Sequence, residues 1–360
     1  MRRFVMCAVV CVSLLVGSGS VFAGSGGGRY LKSPDPFIVR FDLGFVGFDE
    51  GEVRETRRAY DTGGGVPDYS AFLSAYTVDD LGFDDQYMTL GMTLEKQWDY
   101  VTIKFNALYT HPNATAVAKM KSTASNVPAD QRGYYIGLEE VMYNGKNYEY
   151  MWIPDGTEFE SDAEAFLGEI KAMITPFHIG GGGIHLSPWV HFGIYGGGAS
   201  YEVDAGPAEG ITTYEVPPKE YVIKGKGTGS AGLAIPEIGG GGELRLDFGA
   251  NTNRQASIVL QGDVSWMKFS GAPGNLGFNV ETTRHVDFNW LHITFDLFVE
   301  IPLSDRVDLV AGAQYRNIKT DITLDSINRS EEAQEELSEK YDKYGEFAMS
   351  QWTANVGFRF

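Results

Sequence analysis

The chain has 360 residues, with 48 acidic side chains against 29 basic ones and a net charge of −19, and that much negative charge repels a polyanion, which excludes nucleic acid as a partner. Its 45 glycines, 19 tyrosines and 22 phenylalanines are a β-rich, turn-rich balance. No apolar run reaches the ~20 residues of a membrane-spanning helix, so a membrane reading has to rest on strands.

Residues 1–23 read as a cleaved secretory signal. Arg2 and Arg3 give a positive start, Val5 to Val16 a short apolar run, and Val21-Phe22-Ala23 a small-x-small cleavage site. Removing this leader takes two arginines and no acid, so the net charge moves from −19 to −21. Cys7 and Cys11 both leave with it, and the mature chain is expected to carry no thiol, disulfide or cysteine-linked lipid. A glycine-rich lead, residues 24–35, then precedes one continuous domain, residues 36–360, because no linker or charge run divides the rest.

The first strand, Phe37 to Phe48, places Phe37, Val39, Phe41, Leu43 and Phe45 on one face and Arg40, Asp42 and Gly44 on the other. Asp49 to Asp85 is charged, carries Gly63-Gly64-Gly65 and lacks periodicity, so it reads as loop. Tyr87 to Leu94 sets Met88, Leu90, Met92 and Leu94 against Thr89, Gly91 and Thr93, and Tyr100 to Tyr109 sets Val101, Ile103, Phe105, Ala107 and Tyr109 against Thr102, Lys104 and Asn106. The short turn between them makes an antiparallel hairpin. In the second long connection, residues 111–162, Asn144-Gly145 signals a type I′ turn. Glu139 and Glu140 put charge on both faces there, which places that hairpin in water above a wall.

Ala165 to Thr175 and the segment carrying Val190, Phe192 and Ile194 are the fourth and fifth strands, with Glu169, Lys171 and His191 on their polar faces. A third long connection, residues 202–229, holds Pro217-Pro218 in a second protruding hairpin. Leu233 to Phe248 and Ala256 to Met267 follow, with Glu243, Arg245, Asp247, Gln261 and Asp263 on the polar side. After a loop at 269–287, Leu291, Ile293, Phe295, Leu297, Val299 and Ile301 alternate with His292, Thr294, Asp296 and Glu300. Leu309, Ala311, Ala313 and Tyr315 then oppose Asp308, Gly312, Gln314 and Arg316. The last long connection, residues 317–348, contains a helix-forming run from Ser330 to Lys340 with serine at the N-cap, read as a solvated rim helix.

The final strand puts Trp352, Ala354, Val356, Phe358 and Phe360 on one face and Gln351, Thr353, Asn355, Gly357 and Arg359 on the other. This ending resembles the terminal strand of the bacterial outer-membrane β-barrel superfamily. The resemblance implies an outer-membrane location in a Gram-negative envelope, with lipid and lipopolysaccharide as surroundings. It also implies that Trp352, Val356, Phe358 and Phe360 form the signal read by the outer-membrane assembly machinery. The expected fold is all-β: a closed antiparallel up-and-down transmembrane β-barrel of ten strands, with long extracellular loops and short periplasmic turns.

The alternation assigns Arg40, Asp42, Lys104, Glu169, Lys171, Arg245, Asp263, Asp296, Asp308 and Arg316 to the enclosed face. Mixed signs at that density predict pairing, because a lone buried charge is expensive. Arg245, Asp263, Asp296 and Arg316 are expected to pair as neighbours. Ten strands make a barrel little wider than the side-chain-filled kind of eight, whereas wide channels appear at about 16. The expected role is therefore structural or surface-interaction, with a narrow charge-plugged lumen; a small porin-like diffusion channel is the alternative.

Ten is also the strand count of omptin-type outer-membrane proteases, and that resemblance implies acidic pairs and a histidine above the barrel. Asp79, Asp80, Asp84, Asp85 and His285-Val286-Asp287 supply those residue types without the spaced Asp-x-Asp and Asp-x-His pattern, so no enzyme is expected. The acidic run matches no established calcium loop, and glycines 180–183 and 239–242 lack the lysine or helix that phosphate binding needs. No metal or cofactor is expected. Tyr134, Tyr135, Tyr143, Tyr148, Tyr150 and Trp152 mark the second long connection either as a surface for an extracellular carbohydrate or protein ligand or as hairpin packing.

Overall fold

Strands that are apolar on one side and charged on the other have to separate two environments, and here they do so by closing on themselves. The computed structural model describes residues 35–57, 72–77, 79–83, 86–119, 133–181, 183–214, 219–248, 255–271, 283–326 and 343–360. The leader, residues 24–34 of the glycine-rich lead, Asp84, Asp85 and the helical run from Ser330 to Lys340 lie outside the described residues. The elements are β1 (Phe37–Arg57), β2 (Phe72–Thr77), a 3-10 turn (Asp79–Leu81), β3 (Tyr87–Gln97), β4 (Val101–Thr110), β5 (Asn113–Val117), β6 (Gly133–Tyr143), β7 (Lys146–Pro154), β8 (Glu158–Ile174) and β9 (Ile179–Gly181). They continue with β10 (Ile184–Asp204), β11 (Gly210–Tyr214), β12 (Lys219–Ile223), β13 (Lys226–Phe248), β14 (Ala256–Gly271), β15 (Thr283–Pro302), β16 (Asp308–Ser326) and β17 (Lys343–Arg359).

The wall consists of β1, β3, β4, β8, β10 and β13 to β17, each paired antiparallel with the next around the ring. β1 closes it, with Phe41 opposite Met92 of β3 on one edge and Val356 of β17 on the other. At the seam Phe37 and Phe360 exchange both backbone hydrogen bonds, at 3.2 and 2.9 Å. This is the closed ten-strand antiparallel barrel expected from the alternation, and it leaves the wall without a free edge. Two glycines let the seam close tightly. A Cβ on Gly44 would meet the backbone oxygen of Trp352, and one on Gly357 would meet that of Val39.

The facing inverts that of a soluble protein. Arg40 is 1% exposed while its neighbour Phe41 is 57% exposed. Leu43, Phe45, Val190, Phe192, Phe295, Leu297, Trp352 and Val356 likewise turn outward. In water so large an apolar belt would drive aggregation, whereas in a bilayer it meets hydrocarbon and the charges stay enclosed.

A transmembrane strand needs about 9–11 residues, but β1 has 21 and β13 has 23. The surplus corrects the reading of residues 49–85 as loop: β1 runs on to Arg57 and pairs with β2, Arg54 facing Ala75. A register shift between Phe48 and Glu50 marks where the wall pattern ends. The alternation vanishes there because a strand standing beyond the membrane has no hydrocarbon on its outer side. Strands β8, β10, β15, β16 and β17 overrun their expected ends for the same reason.

The hairpin expected around Asn144-Gly145 is β6–β7, with φ of 50° and 76° at its two turn residues, as a type I′ turn requires. It does not stand bare in water. Tyr134, Ile136, Leu138, Val141, Met151 and Ile153 are buried with Phe159, Val203 and Val222 in a separate apolar core. The hairpin expected at Pro217-Pro218 is β11–β12, whose Tyr221 packs with Tyr135 and Trp152.

Candidate functional site

Strand β15 reads out the lumen from the end at Pro302 upward, because every second residue points inward: Glu300, Phe298, Asp296, Thr294, His292, Trp290 and Phe288 are all buried. Each is the centre of a layer. At the lowest, Arg245 grips Glu300 with two hydrogen bonds, at 2.6 and 3.0 Å, and Arg359 adds a third cationic contact at 2.8 Å. Gln261 and Arg245 hold Glu243 beside them, at 3.0 and 3.4 Å.

Phe298 packs with Ile38, Val259 and Val310 as a partial apolar septum on the side of the barrel formed by β14 to β16 and β1. Above it Asp296 accepts from Arg40 twice, at 3.1 and 3.0 Å, from Lys104 at 3.2 Å and from Gln314 at 3.0 Å. The Arg40 guanidinium also lies 5.0 Å over the Phe298 ring, a cation–π contact that ties this layer to the septum. Arg316 donates to Gln314 at 3.1 Å. Asp42 accepts from Thr93 at 3.2 Å, and Asn106 carries the chain of contacts on to Glu169 at 2.5 Å.

The next layer centres on Lys171, which lies 2.6 Å from Glu169, 2.5 Å from Asp263 and 3.7 Å from Glu237. Trp189 and His191 also hold Asp263, at 3.1 and 3.0 Å. His292 stands 3.4 Å from Glu169 and 3.6 Å from Glu237. An aromatic and aliphatic layer of Tyr195, Trp290, Phe288, Ile235, Val46, Ile318 and Met349 covers it. Between the Asp296 and Lys171 layers lies a cavity of about 20 Å³, lined by Lys104, Glu169, Lys171, Asp263 and Asp296 among others. That is room for about one water molecule.

Nine of the ten charges assigned to the enclosed face sit inside the wall as described: Arg40, Asp42, Lys104, Glu169, Lys171, Arg245, Asp263, Asp296 and Arg316. Asp308 is only half-buried, at the end of β16 opposite Arg359. Arg245, Asp263, Asp296 and Arg316 lie on the consecutive strands β13 to β16, but the pairing register sets their heights apart. Asp296 lies opposite Gln261, Asp263 opposite Thr294 and Arg245 opposite Val259, so Asp263 is one layer above Asp296 and Arg245 lies below both.

Trp352, Val356, Phe358 and Phe360 are all exposed on the outer face. Of the aromatic residues in the second long connection, Tyr134, Tyr135, Tyr148 and Trp152 are buried, as hairpin packing requires. Asp79 and Asp80 stand in the 3-10 turn, and His285 lies opposite Asp325 in the backbone register of β15 and β16.

Sequence reasoning overlooked Glu237, masked between Pro236 and the glycines of β13. Its parity with Glu243 and Arg245 was the available signal. It also gave no role to His191 and His292, which alternation alone shows only as polar positions. On the outer face it overlooked the pair His111–Asp162, at 2.8 Å and half-exposed.

No protein-family model and no curated protein sequence matches the chain. Among solved structures it aligns with the outer membrane protease OmpT from Escherichia coli at 8% identity and a TM-score of 0.33, covering 91% of this chain and 97% of that one. It also aligns with the toluene transporter TodX of P. putida at 9% identity and a TM-score of 0.19, covering 91% and 90%. Likenesses this distant decide nothing about function, and the lumen has to be read on its own geometry.

Proposed function

We propose that the chain is an integral outer-membrane barrel with a structural or surface-interaction role, its lumen sealed by paired charges and not open to diffusion. The observation that carries this reading is the stack of ion-paired layers at Glu300, Asp296 and Lys171, with the septum at Phe298 between the first two. Every cation named there has a carboxylate or amide partner, so the charges are neutralised across the barrel and do not line a water column. Beyond the wall, β6–β7 and β11–β12 stand as a head with its own apolar core, and Lys146 of one hairpin is tied to Glu220 of another at 3.1 Å. A head built that way suits presentation of a fixed surface to lipopolysaccharide or an extracellular partner. The reading assigns the chain no reaction.

The test is conductance of the folded protein in a planar bilayer. Sealed layers give no stable open steps at low voltage. Long-lived, ohmic conductance that scales with salt concentration would overturn the plug and favour the porin-like reading.

A further inference from the structure

Three ligand atoms converge in the lumen. Glu169 on β8, Glu237 on β13 and His292 on β15 each bring one donor atom to within 4.8 Å of the other two, and all three residues are buried. His292 Nδ1 and both oxygens of Glu237 have no hydrogen-bond partner, while Glu169 Oε1 has the Lys171 ammonium at 2.6 Å. The other ring nitrogen, Nε2, is engaged with Thr294 Oγ1 at 3.1 Å. With the ring proton on Nε2, the Nδ1 lone pair faces two carboxylates. That arrangement is repulsive unless a proton or a metal ion sits among the three groups, since the Lys171 ammonium, 2.6 Å from Glu169 and 3.7 Å from Glu237, offsets only part of their charge.

The distances fit one. Around a tetrahedral zinc ion with ligands at about 2.0–2.2 Å, neighbouring ligand atoms stand about 3.4 Å apart. His292 Nδ1 is 3.4 Å from Glu169 Oε1 and 3.6 Å from Glu237 Oε2, so two edges of the tetrahedron already have that length. The charge balance points the same way, because the Lys171 ammonium is shared by three carboxylates, Glu169, Glu237 and Asp263, with Arg316 as the further cation near Glu169. Its shortest contact is with Asp263, at 2.5 Å, and that carboxylate can hold it while Glu169 turns to a metal. Thr294 fixes the imidazole from behind, as hydrogen bonds to metal-ligating histidines commonly do. The adjoining cavity, which Glu169 and Thr294 help to line, has room for a water as fourth ligand.

We propose that the lumen binds one divalent transition-metal cation of the zinc type, through His292 Nδ1 and one carboxylate oxygen each from Glu169 and Glu237. The imidazole selects against calcium and magnesium, which take oxygen ligands in larger number. The rings of Tyr195 and Trp290, with centroids 5.4 and 6.2 Å from that of His292, close the site from above. Metal therefore enters during folding and exchanges slowly afterwards.

The experiment folds the full chain in detergent with zinc chloride present, removes loose metal by gel filtration, and counts zinc by elemental analysis. The expected result is one zinc per chain, unaffected by excess magnesium, with His292→Ala and Glu237→Gln reduced to background. Folding of each variant is checked by its migration on unheated gels. Background zinc in the wild type overturns the proposal. So does wild-type zinc content in either folded variant, which would place the metal elsewhere, for example on the neighbouring rings of His178 and His185. Should neither variant fold, cobalt loading of the wild type decides: tetrahedral cobalt absorbs visibly at this donor set, and a featureless spectrum refutes the site.

Discussion

Asp296→Ala removes the carboxylate that Arg40 grips through two hydrogen bonds, at 3.1 and 3.0 Å, and that Lys104 reaches at 3.2 Å. At 3 Å and an effective dielectric constant of about 20, each unit charge pair represents about 5 kcal/mol of gross attraction. The net loss on breaking a buried pair from one side is smaller, about 3–5 kcal/mol, because the stranded cation recovers some contacts. Arg40 keeps the Phe298 ring and Lys104 keeps Gln261 at 3.5 Å, so the lower end, about 3 kcal/mol, is expected here. For a chain of this length the unfolding entropy per residue converts that to a fall of roughly 4 °C in melting temperature. The assay is a tryptophan-fluorescence melt in detergent, read beside the reversal potential in a planar bilayer. Replacing all three groups by apolar residues, with Asp296→Leu, Arg40→Met and Lys104→Met together, should recover part of the loss, because both cations leave with their acceptor while the buried Asp42 loses the nearby Arg40. An unchanged melt for Asp296→Ala, accompanied by a clear shift of selectivity away from cations, would show a wet channel and refute the reasoning.

Glu300→Ala strands Arg359 and leaves Arg245 with Glu243 at 3.4 Å, and should lower stability by about 3 kcal/mol; a melt indistinguishable from wild type would mean that water reaches this layer. Phe360→Asp sets a charge on the outward face at the seam with Phe37, where Phe360 is 54% exposed. Cell fractionation should find less of this variant in the outer membrane and more misfolded in the periplasm, and normal membrane levels would remove the assembly role given to that residue. Gly145→Ala forces a side chain onto φ 76°, at about 1–2 kcal/mol of local strain. Hydrogen exchange should rise in β6 and β7 and stay unchanged in the wall; a uniform rise would show that head and wall unfold as one unit. The folded wild type should also migrate faster on gels unheated than boiled, and identical migration would count against a closed barrel.

The ten wall strands were legible because each has a different solvent on either side. Phe41, Leu43 and Phe45 face hydrocarbon while Arg40 and Asp42 face the lumen, so a period of two is written into the residues themselves. The overruns were not legible for the converse reason. From Glu50 to Arg57 polar residues fall on both faces of β1, and the pairing with β2 is carried by backbone hydrogen bonds that side-chain pattern does not record. The head escaped as well, since Tyr134 and Ile153 bury themselves against Phe159 and Val203, contacts that join segments far apart in the chain.

The site was half legible, because parity tells inside from outside but not height. Glu169, Glu237 and His292 belong to three strands, and only the stagger between strands brings them level. The same geometry explains why the lumen carries charge at all. Replacing a buried ion pair with apolar residues is often neutral or stabilising, so stability alone would favour a hydrocarbon filling. With an apolar interior, however, both faces of every strand would suit lipid, and a one-residue slip would meet no penalty. With Arg40, Lys104, Lys171, Arg245 and Arg359 on the inner face, a slip turns these cations into the bilayer, at about 2–4 kcal/mol for each that reaches its midplane. The paired charges thus fix which face is which during assembly, and the septum at Phe298 and the layer at Trp290 supply the apolar packing between them.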